Sequence, residues 1–422
     1  MAVLRISGAL ASEVAKRLTG QALPAPRRAA LRTLRDPADG EAIDQALLLW
    51  LPGPGTATGE DMLEIQHHGG HAVLKRLLVC LGEMPGLRPA GAGEFTRRAF
   101  LNGKLDLTAA EGLADLIDAT TKAQARQALR QLDGALGRLY QGWRERLLTA
   151  LALIEAEIDF AAEEEVPDSM LARVLPDLRS LRAEMAAHLC DDGRGERLRA
   201  GLVVAVVGTS NVGKSSLVNL LARRDVAIVT SIPGTTRDVI EVQLDLEGVP
   251  VTLLDTAGLR WTVDPVEAAG IERARARAAQ ADLRLLVLDA AAPEAVDVAE
   301  ALVVVNKIDL VPPGAALPLG SFGISCRTGQ GVPELLRGLA RRLETLVEAG
   351  ETPLLTRARH RAAVMEAHAA LERFEGQAES GGELALLGED LRLAARAVGG
   401  ITGVVGVEEV LDRVFASFCI GK

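Results

Sequence analysis

Apolar residues recur every three or four positions along much of the chain. One such stripe covers residues 129–158 and a second covers 171–189, and the same period returns over 384–398 and 407–418. Apolar positions at this spacing fall on one face of an α-helix. The pattern therefore predicts one long helix over the first stripe and further helices over the other three, packed together through their apolar faces.

A block with a different period separates the helical segments. Residues 201–345 carry the continuous apolar runs "LVVAVV", "VTLLD", "LRLLVLD" and "ALVVVN", with helix-like segments between them. Continuous runs of this kind are typical of parallel strands whose two faces are both covered. The block is predicted to be a doubly wound α/β domain inserted into an all-helical domain, which is tolerable because domain termini often lie close together.

The first hundred residues form a third block. "AIDQALLLWLPGP" and "DMLEIQHHGG" contain short apolar runs that end at Gly and Pro, as strands do, and "HAVLKRLLVCLGEMPG" favours a helix. A small N-terminal α/β domain is expected here. We place the domain boundaries at 1–101 for this domain, 200–346 for the inserted domain, and 102–199 and 347–422 for the two parts of the helical domain.

Composition restricts the possible functions of these domains. The 422 residues carry a formal net charge of −10, so binding of nucleic acid would need a local basic patch or a partner. The four cysteines show no CxxC spacing, which favours reduced thiols over disulfides or a zinc site. Neither a signal peptide nor an apolar run of about 18 residues is evident. We expect a cytoplasmic protein with no membrane span.

The segment "GTSNVGKSS" carries the strongest chemical signal. Residues Gly208 to Ser215 fit the pattern GxxxxGK[ST], after a predicted strand and before a predicted helix. Glycines let the backbone wrap around phosphates, and the N–H groups at the helix start point at their oxygens. Lys214 would place a cation between the β- and γ-phosphates, and the Ser215 hydroxyl would ligate Mg²⁺.

Three further motifs identify the nucleotide. In "NKID", the Asp309 carboxylate can accept both N–H donors on the Watson–Crick edge of guanine, whereas adenine offers an acceptor there, so the sequence predicts GTP. Asn306 can fix the base and the loop, and the stem of Lys307 can cover the ring. "ISCRTG" would supply backbone amides for guanine O6. "DTAG" would place Asp255 near the Mg²⁺ shell and the Gly258 amide near the γ-phosphate.

The motifs appear in the order found in Ras-like GTPases. In "PGTTRD", Thr236 is placed to be the second Mg²⁺ ligand. Leu259 stands where small GTPases often carry a water-orienting Gln. Glu267 is a candidate for that role, although from the sequence alone an exposed acid near a helix start is the simpler interpretation. The side chain of Asn211 could help to ligate a monovalent cation beside the phosphates.

Nearly the whole chain resembles the MnmE (TrmE) family of tRNA uridine-modification GTPases. The resemblance rests on "LRISG", "TGEDMLEIQHHGG", "GEFTRRAFLNGKLDLTAAEGLADLIDATT", "NVGKSS", "TSIPGTTRD", "DTAGLR…VEAAGIERA" and the terminal "FCIGK". It implies a folate-binding N-terminal domain that forms a homodimer, and a GTPase stimulated by K⁺ when two G domains meet. It also implies a heterotetramer or larger complex with the flavoprotein MnmG, which carries FAD.

In that family the two proteins act on certain tRNAs. They add an aminomethyl or carboxymethylaminomethyl group to C5 of the wobble uridine, at tRNA position 34. The carbon comes from a 5-formyl- or 5,10-methylene-tetrahydrofolate, and glycine or ammonium supplies the nitrogen. Two other functions stay open: a GTPase switch in ribosome or complex assembly or in stress regulation, without one-carbon chemistry, and a scaffold that holds MnmG with GTP as the clamp.

The resemblance also implies roles for individual residues. K⁺ would be held by Asn211, Thr230, Ile232 and Thr235; Mg²⁺ by Ser215 and Thr236; folate by Arg5, Glu64, Lys104 and Lys422. Glu267 would position the attacking water. We assign GTP binding to Asn211, Val212, Gly213, Lys214, Ser215 and Ser216; Thr230, Ser231, Ile232, Pro233, Gly234, Thr235 and Thr236; Asp255, Thr256, Ala257 and Gly258; Asn306, Lys307 and Asp309; and Ser325, Cys326 and Arg327.

Both ends of the chain raise a question about the folate site. The family's "CIGK" tail reaches the one-carbon site, so Cys419 is either a nucleophile in one-carbon transfer or a residue that only packs near the folate. Family members usually carry about one more strand and a Gly-rich turn before "LRISG". We therefore expect either a misassigned start or a folate and dimerisation domain that lacks one edge.

Overall fold

The computed structural model describes residues 1–159, 170–224, 226–227, 241–255, 278–291, 301–312, 314–347, 353–405, 411, 414–415 and 418. The chain divides into two compact units. The first comprises Met1–Ala114, Gly137–Gln141 and Gly399–Lys422, and the second comprises Asp115–Leu136 and Gly142–Val398. No helix among the described residues is long and apolar enough to span a bilayer.

The first unit is built on a four-stranded antiparallel sheet with the strand order β1-β4-β3-β2. Residues alternate in burial along β3, as expected for a sheet with one covered face. Helices α1 and α2 cover that face, where Leu18 and Leu77 join Leu48 and Ile65 in the core. The elements are β1 (Ala2–Ser7), α1 (Ala11–Thr19), β2 (Ala29–Arg35), β3 (Ala42–Leu51), β4 (Met62–His67), α2 (His71–Gly82), α3 (Glu94–Leu101) and α4 (Leu107–Asp118).

The opposite face of this sheet carries exposed apolar residues. Val3 on β1 is 55% exposed and Leu31 on β2 is 62% exposed. Leu31 pairs with Leu47 on β3, so the two side chains lie on the same face. Leu47 and Leu49 are half-buried. The sheet therefore has a packed face and an open face, and the open face carries these apolar residues together with Arg5 and Glu64.

The second unit contains a six-stranded sheet with the order β10-β9-β8-β5-β7-β6. Only β6 runs antiparallel to its neighbour. This is the sheet order of a Ras-like P-loop domain, so the predicted fold class is confirmed. The elements are β5 (Leu202–Val207), α9 (Lys214–Ala222), β6 (Glu241–Leu246), β7 (Val249–Asp255), β8 (Leu283–Asp289), β9 (Ala301–Asn306), a 3₁₀ helix (Ile308–Leu310), β10 (Phe322–Gly323) and α10 (Val332–Val347).

The remaining helices of this unit precede and follow that sheet in sequence. Helices α7 and α11 pack side by side, and Arg182 on α7 donates to Glu375 on α11 at 2.9 Å. Helix α5 begins with a capping box between Thr121 and Gln124. The helices are α5 (Lys122–Leu132), α6 (Ala135–Asp159), α7 (Met170–Leu189), α8 (Arg194–Ala200), α11 (Ala358–Ser380) and α12 (Leu384–Thr402), although residues 137–141 of α6 and 399–402 of α12 belong to the first unit.

One prediction about the helices is wrong. The apolar stripe over 129–158 is not a single helix, because α5 ends at Leu132 and α6 begins at Ala135. Gly134 adopts φ +82°, a conformation that a continuous right-handed helix cannot contain. The predicted helices over 171–189 and 384–398 are confirmed as α7 and α12. Most of the stripe over 407–418 lies outside the described residues.

Candidate functional site

The loop between β5 and α9 follows the path that phosphate binding requires. Gly208 has φ +147°, and a Cβ atom there would lie 2.3 Å from the Val287 carbonyl oxygen. Gly213 has φ +100° and caps the start of α9. Asn211, between them, adopts a left-handed φ of +65° and is exposed. Since side chains are strained or excluded at both glycines, the backbone can turn tightly around an anion.

Lys214 is held inside this loop. Its side chain is buried, and Nζ donates to the carbonyl oxygens of Gly208 at 2.8 Å and Thr209 at 2.7 Å. An ammonium group has three N–H bonds. Among the contacts of the described residues, two are used, and one remains for an anionic oxygen. Ser215 follows in the first turn of α9 and is half-buried.

Asn306, at the end of β9, joins two loops. It is 2% exposed, and its Nδ2 donates to the Val212 carbonyl in the phosphate loop at 2.8 Å. Its Oδ1 accepts from the Cys326 amide at 3.1 Å. A Cβ at Gly213 would lie 2.2 Å from Asn306 Nδ2, so the contact also requires glycine there. The motifs "NVGKSS", "NKID" and "ISCRTG" are thereby brought to one edge of the sheet.

The neighbouring Lys307 has an acidic partner that sequence reasoning missed. Lys307 adopts φ +67°, and its Nζ lies 2.6 Å from Asp289 Oδ2 at the end of β8. Hydrogen bonds from Lys307 and then from the Ala291 amide lower the pKa of Asp289 below its usual value. The available signal was Asp289 itself, the last residue of the run "LRLLVLD". Its pairing with Asn306 depends on strand register, which the sequence does not state.

Asp309 and the turn at 325–330 complete this edge. Asp309 is exposed in the 3₁₀ helix after β9. The Ser325 amide donates to the Gln330 carbonyl at 3.0 Å, and the Thr328 amide donates to Ser325 Oγ at 3.2 Å. Burial, and then the charge of Asp309, raise the pKa of the Cys326 thiol to about 11. Cys326 is therefore a protonated thiol at neutral pH, and its backbone matters more than its sulfur.

The other predicted site residues fall into two groups. Asp255 lies at the end of β7, beside Val206 of β5, and its side chain is fully buried. The remaining predicted residues lie outside the described part of the chain: Thr230, Ser231, Ile232, Pro233, Gly234, Thr235, Thr236, Thr256, Ala257, Gly258, Leu259, Glu267, Cys419 and Lys422.

A second group of predicted residues lies on the sheet of the first unit. Arg5 on β1 pairs directly with Glu64 on β4. The Arg5 guanidinium carbon lies 5.0 Å from the centroid of the Phe95 ring on α3. Lys104 is exposed after α3, and its Cε would lie 3.2 Å from a Cβ at Gly59. The structure thus brings Arg5 and Glu64 together and places Lys104 beside the loop that precedes β4.

An ion-pair network that sequence reasoning missed joins these elements. Arg98 on α3 contacts Glu60 at 2.8 Å and Glu94 at 2.7 Å, and Ser7 at the end of β1 donates to Glu60 at 2.8 Å. Hydrogen bonding to Arg88 is the main reason that the pKa of Glu94 falls to about 2. Burial would raise the pKa of Glu60, but hydrogen bonds from Arg98 and Ser7 lower it. The network ties β1 and the loop before β4 to α3.

The described residues near the C-terminus pack against the same unit. Phe415 and Phe418 are buried with Leu107 and Ala110 of α4. A Cβ at Gly93, the residue that caps α3, would lie 2.6 Å from the Phe415 carbonyl oxygen. Gly93 is two residues from Phe95, the ring that Arg5 contacts. The chain therefore reaches this part of the first unit just before the "CIGK" tail.

Two family models together match nearly the whole chain, and curated relatives match all of it. A family model described as "GTP-binding protein TrmE N-terminus" matches residues 1–104, and one described as "MnmE helical domain" matches 107–419. The tRNA modification GTPase MnmE of Parvibaculum lavamentivorans is 52% identical over 430 residues, covering 100% of this chain and 97% of the relative. That of Paramagnetospirillum magneticum is 52% identical over 433 residues, with 100% and 96% covered.

A solved structure matches a smaller part. The G domain of the T. maritima FeoB iron transporter covers 35% of this chain and 97% of its own length, at 25% identity and a TM-score of 0.23. A TM-score this low carries no argument about the fold, which is assigned from the sheet order described above.

Proposed function

This chain belongs to the MnmE (TrmE) family of tRNA modification GTPases, and from that premise we propose that it is a GTP hydrolase that takes part in tRNA modification. Asn306 is the observation that carries the proposal. One buried side chain contacts both the phosphate loop, at Val212, and the turn at Cys326 that would face the base. A single site can therefore hold the phosphates and the guanine together.

In the proposed complex, Lys214 and the N–H groups at the start of α9 bind the β- and γ-phosphates. Mg²⁺ would be held by Ser215 and Thr236, with Asp255 in its outer shell. Hydroxyl and carboxylate oxygens are the hard ligands that Mg²⁺ prefers, so Ser215 and the buried Asp255 fit this ion. When bound, Mg²⁺ would neutralise charge on the phosphate oxygens. Asp309 would accept from guanine, and Asp289 would keep the Lys307 stem in place over the ring.

Hydrolysis would depend on residues around the γ-phosphate. We propose that Glu267 positions the attacking water, because Leu259 cannot, and that K⁺ is held by Asn211, Thr230, Ile232 and Thr235. The exposed, left-handed Asn211 supports this, since its side chain is accessible to a cation and shows no hydrogen bond to the part of the chain that the structure describes. A monovalent cation there would supply positive charge next to the transferring phosphoryl group.

The first unit would bind a tetrahydrofolate, either 5-formyl or 5,10-methylene. Arg5, Lys104 and Lys422 carry the positive charge that suits folate carboxylates, and Glu64 can accept from pterin N–H groups. The adjacency of Arg5 and Glu64 and the packing of Phe418 in the same unit support this assignment. Cys419 follows Phe418 directly, and its two interpretations, as a nucleophile or as a packing residue, both remain.

We propose that a second copy of the chain covers the open face of the N-terminal sheet. Val3 and Leu31 would be exposed in a monomer, and Leu47 lies beside Leu31 on the same face. Exposed apolar residues on one face of a sheet are typical of an interface. In the complete assembly this homodimer would bind MnmG with its FAD, in the cytoplasm, and modify C5 of uridine 34 in certain tRNAs. The domain boundaries 1–101, 102–199, 200–346 and 347–422 belong to the same proposal.

Wobble-uridine analysis tests the proposal. In a strain that lacks this chain, we expect unmodified uridine 34, restored by the wild-type chain but not by Lys214→Ala. Arg5→Ala separates the alternatives, because it should retain GTP hydrolysis yet fail to restore the modification. Normal uridine 34 in the deletion strain would overturn the tRNA function. Full restoration by Arg5→Ala would favour a scaffold without one-carbon chemistry at this sheet.

A further inference from the structure

A cavity of about 780 Å³ lies within the second unit, apart from the residues assigned to GTP. Cavities of roughly 300–1,000 Å³ are typical of sites for small organic molecules. Its walls are formed by α5, α8, the turn between β6 and β7, the end of α10 and the segment that follows. The lining includes Lys122, Arg126, Arg130, Leu198, Glu247 and Thr356.

One wall of the cavity is cationic. Lys122, Arg126 and Arg130 are spaced by four residues on α5, so they share one face of that helix. All three are exposed. Across the part of the chain that the structure describes, none of them has an ion-pair partner, whereas Arg146 on the next helix contacts both Asp177 and Glu184. Two unpaired guanidinium groups one turn apart can each bind an anionic oxygen through two N–H bonds.

Part of the cavity lining is apolar. Leu136, Leu198, Val249 and Val347 belong to it and are each no more than 6% exposed. When a ligand displaces water from apolar side chains that line an open cavity, the free energy of binding becomes more favourable. The occupant therefore needs an apolar body as well as a negative charge.

Two residues that line the cavity each carry a buried side-chain oxygen, and these oxygens provide an independent observation. Thr356 is 2% exposed, and its Oγ1 has no hydrogen-bond partner among the described residues. The same holds for Gln127 Oε1, while Gln127 Nε2 donates to the Gly195 carbonyl at 3.0 Å and so fixes the amide's orientation. Buried oxygens without partners are uncommon and cost free energy. An N–H or O–H donor on a ligand would satisfy them.

Acidic residues of the lining limit the size of the ligand. Asp245, Glu247 and Glu344 line the cavity, so it carries three acidic groups as well as three basic ones. A polyanion such as an RNA strand laid across the cavity would meet these carboxylates and be repelled. A small molecule with one anionic end avoids them.

We propose that this cavity binds a small organic anion whose apolar body lies on Leu136 and Leu198. Its anionic group, a phosphate or a carboxylate, would contact Arg126 and Arg130. A donor on its body would face Gln127 and Thr356. Such a site is distinct from the GTP and folate sites and shares no residue with them.

The probe for this site is 8-anilinonaphthalene-1-sulfonate, which combines an aromatic body, one anionic group and one N–H donor. Fluorescence titration of the full chain should give saturable, one-to-one binding. The double variant Arg126→Ala/Arg130→Ala should weaken it by at least about tenfold, the loss expected for charge-assisted hydrogen bonds. The control Arg341→Ala/Arg342→Ala removes two exposed arginines of α10 that do not line the cavity, and should change nothing. Equal binding by both double variants, or no saturable binding, would overturn the proposal.

A second variant and two competitors sharpen the result. Thr356→Val keeps the shape and removes the hydroxyl, so it should weaken binding of the probe without lowering Tm, whereas unchanged affinity would exclude a hydrogen bond at Thr356. Adenosine monophosphate, which Asp309 should exclude from the GTP site, tests a phosphate ligand. 1-Naphthoate tests a carboxylate. The stronger competitor identifies the anion class, and displacement by neither would contradict the site.

Discussion

Asn306 Nδ2 donates a hydrogen bond to the Val212 carbonyl at 2.8 Å, between residues that are 94 positions apart in sequence. Val212 lies inside the phosphate loop, and Asn306 is the first residue of the base-recognition motif. Its other atom, Oδ1, accepts from the Cys326 amide. The phosphate and base ends of the site are therefore fixed to each other by one buried amide.

The first prediction removes the donor in that contact. Asn306→Asp keeps the shape but places a carboxylate oxygen against the Val212 carbonyl, and it leaves that buried acceptor unsatisfied. We expect GDP affinity to fall by roughly ten- to a hundredfold, the effect of about 1–3 kcal/mol. Titration with a fluorescent guanine nucleotide measures it. Asn219→Asp, at an exposed position of α9, is the matched control and should bind normally.

The second prediction concerns the pair of Asp289 and Lys307. Asp289→Asn should weaken GDP binding about three- to tenfold, because Lys307 loses the partner that fixes its stem. Lys307→Met keeps an apolar stem and removes the charge. If Asp289 acts through Lys307, the affinity of the double variant for GDP will be no lower than that of the single variant with the lower affinity. Additive losses in the double-mutant cycle would mean that Asp289 acts independently.

The third prediction uses matched glycines. Gly93→Ala strains a residue at φ +62° and places a Cβ 2.6 Å from the Phe415 carbonyl. Gly103 has φ +64° and nothing within 4 Å of an added Cβ, so Gly103→Ala carries the same strain without the contact. Strain alone should lower the free energy of unfolding by about 1–2 kcal/mol. Gly93→Ala should lower it by more.

The same pair of variants tests the path of the C-terminal segment. Calorimetry with 5-formyltetrahydrofolate should show weaker binding by Gly93→Ala than by Gly103→Ala, with GTP affinity unchanged in both. Equal folate binding by the two variants would mean that the packing of Phe415 does not matter to that site.

The fourth prediction is a pH dependence. The folded pKa of Glu94 is about 2, below its ordinary value of 4.5, so its ion pairs stabilise the fold above about pH 4.5 and lose this effect as the pH falls toward 2. Because Arg88 is 65% exposed, solvent screening reduces the contribution to about 1–2 kcal/mol. Glu94→Gln should therefore lower Tm at pH 7 and match the wild type near pH 2. A gap in Tm that persists at pH 2 would contradict this origin.

Local signals were enough to find the nucleotide site. The apolar runs predicted β5, β7, β8 and β9, and the spacing of "GTSNVGKSS" predicted the loop, because glycine and lysine positions there fix a short stretch of backbone. The helix break at Gly134 was missed because the three-to-four period of apolar residues continues on both sides of it.

The contacts that sequence reasoning missed are long-range. Asp289 acquires its role from the register between β8 and β9, and Glu60 meets Arg98 across 38 residues. Gly93 gives no sign in the sequence that Phe415 will lie against it. Pairings of this kind depend on how the helices and strands pack against each other. Residue type and spacing along the chain do not specify that packing.

Nucleotide preference in an Asp309→Asn variant tests the central claim, that this is a GTP hydrolase whose base is selected at the end of β9. Asparagine offers one donor and one acceptor, which suit the C2 oxygen and N1–H of xanthine in place of guanine's two donors. The wild-type chain should hydrolyse GTP in K⁺ and leave XTP untouched, and the variant should reverse that preference. Hydrolysis of GTP by the variant at the wild-type rate, with no gain for XTP, would contradict the account.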